Sequence, residues 1–557
     1  MDHLTRRLGG LAGWPYTLFI MISEIIRQKP RNARELMALK RKIAKKSGEK
    51  IPRHSELWRE YLALAKSGKI KYDEKFARLL KRRAVRTLSG VAPVAVLTKP
   101  WPCPGRCIFC PTEKNVPKSY LSNEPAVMRA IRNKYDPYLQ VRTRLEALEI
   151  NGHRPEKIEL IVIGGTWSVL PRAYKLWFIK ECFRAANERQ RKNKKEKRKN
   201  YKKNNIIKIK KELQREQKKN ERAKYKIIGI TLETRPDYID EKELVEVREL
   251  GATRVELGVQ AIDDIILAKN NRGHGVAEIA RATELLKNFG FKITYHLMPG
   301  LPGATAKKDL ALFRRLFSDP RFQPDQIKFY PTVVTKGSKL YQWWKQGKYH
   351  PYSDKVLRKL IVDCKKSVPE YVRIIRLIRD IPGESIKAGN TITNLRQVMQ
   401  QEGARCRCIR CREARDKKII AKDLKLNIKK YSASGGTEYF ISLDSRDGQT
   451  LFGFCRLRLP KLQIKNYKLK IKDKDFIFLN NFAIVRELHV YGELVPVGGK
   501  KKTQHGGLGK KLLEQAEKIA HQNNFQNIAV IAGIGVRGYY KKLGYRLKAG
   551  YLVKKIG

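Results

Sequence analysis

At 557 residues the chain is too long for one hydrophobic core, which points to two or three domains. A hydrophobic content of 42% excludes a disordered chain. Its 120 Lys plus Arg against 54 Asp plus Glu imply a polyanionic partner, nucleic acid first, with a Lys- and Asn-rich compositional bias supplying part of the excess.

No stretch reaches the roughly 20 uncharged apolar residues of a membrane helix. The best candidate, Trp14 to Ile26, is short and has no small-residue cleavage site after it, so a cytoplasmic protein without membrane contact is expected. Nine cysteines, six of them in two short clusters, fit metal or cluster ligation in a reducing compartment better than disulfides.

Residues 1–90 are rich in helix formers with basic residues along amphipathic stretches such as Arg31 to Lys46 and Glu74 to Thr87. They read as a basic helical region that docks RNA, a solvated face being the competing reading of any one helix. From 91 to 382, six short apolar runs alternate with helical patterns: Val94 to Thr98, Ile158 to Ile163, Ile227 to Leu232, Arg254 to Val259, Lys292 to Leu297 and Gln326 to Tyr330. Such alternation predicts an α/β fold with a parallel sheet closed into a complete or partial barrel, whose strand C-termini bind ligand. Within it, 189–224 is almost wholly Lys, Arg, Asn, Glu and Gln and reads as an exposed, partly helical or disordered insertion, a solvated spacer or an RNA contact. Residues 383–430 form a linker carrying the second cysteine cluster. A mixed α/β domain follows over 431–557, with strands near Thr437 to Leu443, Gln449 to Leu457, Phe482 to Tyr491 and Asn527 to Ile534.

The first cluster, Cys103, Cys107 and Cys110, is a C-x3-C-x2-C loop directly after the first strand. Three thiolates on one tight loop suit three irons of a 4Fe-4S cluster with the fourth iron open; a structural zinc loop is the alternative, and no fourth ligand lies nearby. With Phe109 before the last Cys, the loop resembles the radical S-adenosylmethionine superfamily, which implies S-adenosylmethionine as cofactor and a partial (βα)6-type barrel. Gly164 and Gly165 then correspond to that superfamily's methionine-contacting turn, with Thr166 where Glu is usual. Glu233, Arg235 and Gln260, at later strand ends, are candidates for the ribose and carboxylate, against ordinary hydrogen bonding at a barrel mouth.

Gln504, Gly507 and Gly509 form a Q-x-x-G-x-G turn opening a helix, which resembles the pyrophosphate-binding turn of GCN5-related acetyltransferases. In that family the preceding strand, here Glu487, Leu488, His489 and Val490, holds the acetyl and pantetheine parts. Gly535 to Tyr545 resembles its closing motif, whose Tyr sits near the thioester sulfur. A degenerate domain that binds CoA without using it is the alternative.

The two modules in this order, with Glu124 to Gln140, Gly229 to Asp237, Asn271 to His274 and Val485 to Gly492, are similar to the catalytic subunit family of Elongator from about residue 75 to the last strand. The resemblance implies an acyltransferase acting on tRNA, a uridine(34) acetyltransferase or carboxymethyluridine synthase. It implies acetyl-CoA held by Lys157, Glu487 to Val490, Gln504, Gly507, Leu508, Gly509 and Tyr539, with Tyr539, Tyr540 and Lys157 as catalytic candidates. A 5′-deoxyadenosyl radical would take hydrogen from the acetyl methyl group, and the carbon radical would add to C5 of the wobble uracil in the anticodon stem-loop. An external electron donor is required. The short first cysteine spacing implies an archaeal or bacterial type working without other Elongator subunits. Cys406, Cys408 and Cys411, with a fourth ligand such as Cys364 or a His, suggest structural zinc. A protein lysine acetyltransferase with a structural iron-sulfur domain is the competing function. Cys182 and Cys455 are expected to be buried core thiols.

Overall fold

The computed structural model describes residues 16–48, 50–81, 90–188, 205–392, 395–401, 406–415, 424–460, 471–491 and 507–557. The chain divides into two units, Met1–Leu88 with Thr143–Pro155, and Ser89–Arg142 with Glu156–Gly557.

The first unit contains helices Tyr16–Gln28, Ala33–Ser47, His54–Lys66 and Glu74–Leu80. Apolar residues three and four apart give each helix one buried stripe, so Ile22, Ile25, Leu36, Leu39, Leu57, Tyr61, Leu64 and Leu80 form a common core. Asn32 starts the second helix by accepting from the backbone N–H of Arg34 and Glu35, and Gly48, at φ 71°, ends it. The opposite face leaves Arg34, Arg41, Lys42, Lys45 and Lys46 exposed.

The second unit is built on two seven-stranded sheets. The first comprises β1 (Ala92–Leu97), β2 (Lys157–Ile163), β3 (Lys226–Thr234), β4 (Arg254–Gln260), β5 (Lys292–Leu297), β6 (Gln326–Phe329) and, after a short strand β7 (Val334–Thr335), β8 (Arg373–Arg376). They pair in the order β1-β2-β3-β4-β5-β6-β8, each pair parallel. β1 and β8 are its edges, so the sheet is an open half-barrel. The six expected strands are all present. The seventh is four residues with Arg at both ends and has no apolar run to announce it. β7 pairs antiparallel with β9 (Ile386–Ala388) beside the barrel.

Half of the Lys-rich stretch departs from the expected exposed segment. Ile206–Asn220 is a helix that buries Ile209, Leu213, Gln217 and Asn220, four residues at three- and four-residue spacing. Asn220 then fixes the start of β3 by accepting from Ile227 N at 2.7 Å and donating to Tyr225 O at 3.0 Å. The first part of the insertion, 189–204, lies outside the described residues.

The second sheet comprises β10 (Leu424–Ala433), β11 (Gly436–Ser445), β12 (Leu451–Pro460), β13 (Ala483–Val490), β14 (Asn527–Val530), β15 (Arg546–Lys548) and β16 (Tyr551–Lys555), in the order β10-β11-β12-β13-β14-β16-β15. β10 lies partly in the stretch read as linker. It carries Lys425, Asn427, Lys429 and Lys430 because it is the edge strand, where charged side chains are tolerated. Helix Leu508–Gln522 covers one face through Leu512, Leu513, Ala516 and Ile519, which join Leu457, Val485 and Val530 in a core. Cys455 belongs to that core, and Cys182 is equally buried in helix Arg172–Asn187.

The second sheet packs across the N-terminal ends of the parallel strands. Arg248 donates to Ala532 O at 2.9 Å and Gly550 O at 2.6 Å, and Tyr551 Oη donates to Phe289 O at 2.6 Å. At Gly533 the contact leaves no room, since a Cβ there would lie 1.9 Å from Ile228 O. Gly533→Ala is therefore expected to destabilise the protein by about 3 kcal/mol, the upper end of ordinary overpacking costs, read as a lowered urea midpoint.

Candidate functional site

The C-terminal ends of β1 to β6 gather one constellation. β1 hands over directly to the cysteine loop, which is pinned on two sides: Ile108 N donates to Asn270 O at 3.3 Å, and Thr112 N donates to Gly337 O at 3.0 Å. Cys107 is buried, and Cys103 and Cys110 are partly so. Arg272 Nη1 lies 3.2 Å from Cys107 Sγ and Arg235 Nη1 lies 4.0 Å from it, while Arg235 also donates to Arg272 O at 2.8 Å. The hydrogen bond from Cys110, against the opposing effect of burial and assisted by Arg272 and Arg235, lowers the Cys107 thiol below its ordinary value, toward the thiolate form in which cysteine acts as a ligand.

Arg272 and His274 belong to the segment Asn271 to His274, whose residues carry no role in the sequence reading. Single Arg and His residues carry no spacing signal, so only the fold reveals them at the cysteines. Arg235, a candidate for the ribose or carboxylate, spans Asp237 at 2.8 Å and the cysteine loop.

Around this loop several buried polar atoms have no partner among the described residues: Thr98 Oγ1 after β1, Gln260 Oε1 at the end of β4, both ring nitrogens of His274, and Thr332 Oγ1 beyond β6. Buried polar atoms ordinarily find partners, so such a ring around one mouth is a site for a polar ligand. Burial and the neighbouring Arg272 lower the His274 imidazole to about 4, leaving it neutral. Gly164, at φ 135°, lets its backbone close on Thr98, whose Oγ1 would lie 2.2 Å from an added Cβ, and Gly165 follows at φ 95°. Thr166 Oγ1 is 4.0 Å from Cys103 Sγ. Glu233 accepts from Tyr120 Oη at 2.9 Å. The residues fit a cluster with a bound small molecule. The cysteines share one loop, the thiolate is charge-compensated, and unpaired donors and acceptors surround it.

A second constellation lies on the other sheet. β13 pairs parallel with β14 only over Ala483, Ile484 and Val485, and residues 486–490 continue without a β14 partner. Gly507, at φ 84°, opens the helix Leu508–Gln522, whose first N–H groups have no intrahelical acceptor. Tyr539 is 41% exposed, and its Oη lies 2.9 Å from where a Cβ on Gly509 would stand. Tyr540 is instead buried in the core beside Tyr545. Of the candidate tyrosines, the structure therefore brings Tyr539 to the helix start. Leu488 and Val490 pack toward the helix core, while Glu487 turns to Arg456 at 3.0 Å and Lys292 at 3.3 Å. Lys157 is exposed as the first residue of β2. Gln504 lies outside the described residues.

Among the described residues, the group of three ligand-type atoms drawn within 4.8 Å of one another is Cys406, Cys408 and Cys411. Hydrogen bonds from Cys406 and Cys411 lower the Cys408 thiol well below its ordinary value. Three sulfurs this close fit a single ion with thiolate ligands. Cys364 is not part of the group.

The sequence matches the radical SAM superfamily over residues 103–316 and the Radical_SAM C-terminal domain over 324–405. It is 42% identical to the tRNA uridine(34) acetyltransferase of Dehalococcoides mccartyi over 484 residues, covering 85% of this chain and all of that protein. It is 42% identical to the protein of the same name from Methanocaldococcus jannaschii, covering 86% of each chain. With Elongator complex protein 3 of Homo sapiens it shares 38% identity, again over 86% of each. Among solved structures it is similar to the archaeal Methanocaldococcus infernus Elp3 lacking its N-terminus, with a TM-score of 0.68 at 38% identity, over 84% of this chain and 99% of that one.

Proposed function

Since the chain belongs to the radical S-adenosylmethionine family that includes tRNA uridine(34) acetyltransferase and Elongator complex protein 3, we propose that it modifies the wobble uridine of tRNA, transferring an acetyl-derived carboxymethyl group from acetyl-CoA to C5. The observation that carries the reading is the pairing, in one structural unit, of a charge-compensated cysteine loop ringed by polar atoms unpaired among the described residues with a splayed strand beside a helix that opens on Gly507.

Cys103, Cys107 and Cys110 would hold a 4Fe-4S cluster, and Gly164, Gly165, Gln260 and His274 would receive S-adenosylmethionine. Together these groups, when bound, supply one-electron chemistry able to break an unactivated C–H bond. Arg272 and Arg235 neutralise the Cys107 thiolate and fix the loop. On the second sheet, which this reading takes as a GCN5-related acetyltransferase domain, the backbone N–H groups from Gly507 to Gly509 would take the CoA diphosphate. The unpaired edge Glu487 to Val490 would take the pantetheine amides, and Tyr539 would stand at the thioester, with Lys157 reaching from the barrel. Exposed Arg34, Arg41, Lys42, Lys45 and Lys46 supply part of a phosphate-binding surface for the anticodon stem-loop. The electron donor is external, the setting cytoplasmic, and no other Elongator subunit is required.

Acetyl-CoA labelled in its methyl carbon tests the donor. The label is expected in the 5-substituent of uridine after nuclease digestion. Label confined to protein lysines would support the acetyltransferase alternative instead.

Zinc is the ion this reading assigns to Cys406, Cys408 and Cys411. Elemental analysis is expected to give about one zinc per chain, lost in Cys408→Ser with the iron content unchanged. Zinc retained in that variant would place the ion elsewhere.

A further inference from the structure

Over β3 to β6 the inner face of the half-barrel does not carry the branched apolar layers that fill a closed one, although Ile161 and Ile163 of β2 share that face. Tyr295 points outward to Thr283 on the covering helix Val276–Asn288. Its strand neighbours Thr294 and His296 therefore face inward. The parallel register sets Thr231 beside Arg254, Glu256 beside Thr294, and His296 beside Lys328 on that same face.

These side chains form a continuous polar ladder. At the N-terminal end Arg254 pairs with Glu159 at 2.5 Å and Thr231 donates to Glu159 at 3.3 Å. Midway, His296 Nε2 is 2.8 Å from Glu256, and Lys328 bonds the same carboxylate. Higher still, His296 Nδ1 lies 3.6 Å from Glu233, the acceptor for Tyr120. Burying this many polar groups is unfavourable unless they are paired or serve a ligand.

The ladder joins the two constellations. Its upper end is the cysteine-loop mouth. Its lower end meets the splayed part of β13: Glu487 lies 3.3 Å from Lys292, and Tyr491 accepts from Arg373 at 2.8 Å. Between them His489 lies over Phe454 and Tyr491, with a buried Nε2 that has no partner among the described residues. The six steps of β2 from Lys157 to Ile163 separate these ends by about 20 Å, at about 3.3 Å per residue.

We propose that the inside of the half-barrel is the path along which the acetyl unit of acetyl-CoA travels from the second sheet to the cysteine-loop mouth. Lys328, steadied by Glu256 and His296, is a positioning residue on that path and donates to the thioester carbonyl oxygen. The proposal rests on the acetyl-CoA reading above, and the test separates the two.

The intact, reconstituted protein is treated with bromoacetyl-CoA, whose acetyl carbon alkylates a nearby nucleophile with loss of bromide. Peptide mass spectrometry is expected to find label on His296, suppressed by excess acetyl-CoA. Suppressible label only on residues outside the barrel overturns the path and leaves the donor reading standing. Failure of acetyl-CoA to bind in equilibrium dialysis overturns the donor reading and the path with it.

In Lys328→Met, the ratio of carboxymethyluridine to 5′-deoxyadenosine is expected to fall about a hundredfold, the effect of a misplaced reactant. Lys328→Arg is expected to recover part of the ratio. A wild-type ratio in folded Lys328→Met overturns the role of Lys328. If that variant does not fold, the labelling of the wild-type protein decides the path.

Discussion

Cys110→Ser is expected to reduce tRNA modification by more than about a hundredfold while leaving acetyl-CoA binding and acetyl-CoA hydrolysis at the wild-type level. Loss of a supporting residue around a metal ligand already costs about 10- to 100-fold, and loss of a ligand itself exceeds that. The β1 edge and the contacts of Ile108 and Thr112 do not involve the Cys110 sulfur, so the fold should survive. Iron content, 5′-deoxyadenosine formation and nucleoside mass spectrometry read the loss. Acetylation of a lysine substrate that continued unchanged, with no modified tRNA from the wild type, would favour the competing function.

Asp325→Ala is expected to destabilise the protein by about 3–5 kcal/mol, the usual cost of removing one partner from a buried ion pair. Asp325 precedes β6 and is fully buried. It receives Arg486 of β13 through both carboxylate oxygens, at 2.9 Å on Oδ2, and lies 3.6 Å from Arg456 of β12. Glu438 takes the other side of Arg486 at 3.0 Å and Arg458 at 3.1 Å. Removing Asp325 leaves three buried guanidinium groups facing Glu438 and Glu487, at the junction where β13 meets the barrel. A shifted urea midpoint measures the cost, and a midpoint within error of wild type would mean that the junction repacks.

The same network fixes an acid limit. Burial opposes ionisation of Asp325, but Arg486, Lys287 and Arg456 outweigh it and hold the carboxyl far below the ordinary carboxylate range. Burial likewise opposes ionisation of Glu487, yet Lys292 and Arg456 hold it down to about 2. Folded-state values below the unfolded ones mean that the stabilisation is complete above the unfolded carboxylate pKa of about 4. It is lost progressively as pH falls through and below that value. The wild-type urea midpoint should therefore fall below pH 4, and Asp325→Ala should flatten that fall.

What was legible in the sequence follows from what leaves a periodic or spaced trace. β1 to β6 and the core strands of the second sheet are apolar runs bounded by Gly, Pro or polar residues, and they read directly. β8 and β10 did not, because one is a four-residue edge and the other an edge strand laced with lysine. The buried stripe of Ile206–Asn220 was hidden by the charged residues between its apolar positions. The cysteine loop and glycine turn were visible through spacing. Arg272, His274, Glu256, His296 and Lys328 were not, because their meaning arises only when strands far apart in sequence register side by side. Tyr539 and Tyr540 were indistinguishable as neighbours in a motif. The helix Arg537–Lys541 turns one toward Gly509 and the other into the core.

The most direct measurement is an anaerobic incubation of the iron-reconstituted protein with S-adenosylmethionine, dithionite, acetyl-CoA and tRNA, followed by nucleoside mass spectrometry and a 5′-deoxyadenosine assay. The account predicts 5-carboxymethyluridine formed together with 5′-deoxyadenosine, both requiring Cys103, Cys107 and Cys110. Neither product, with acetyl groups appearing on a lysine substrate instead, would contradict it.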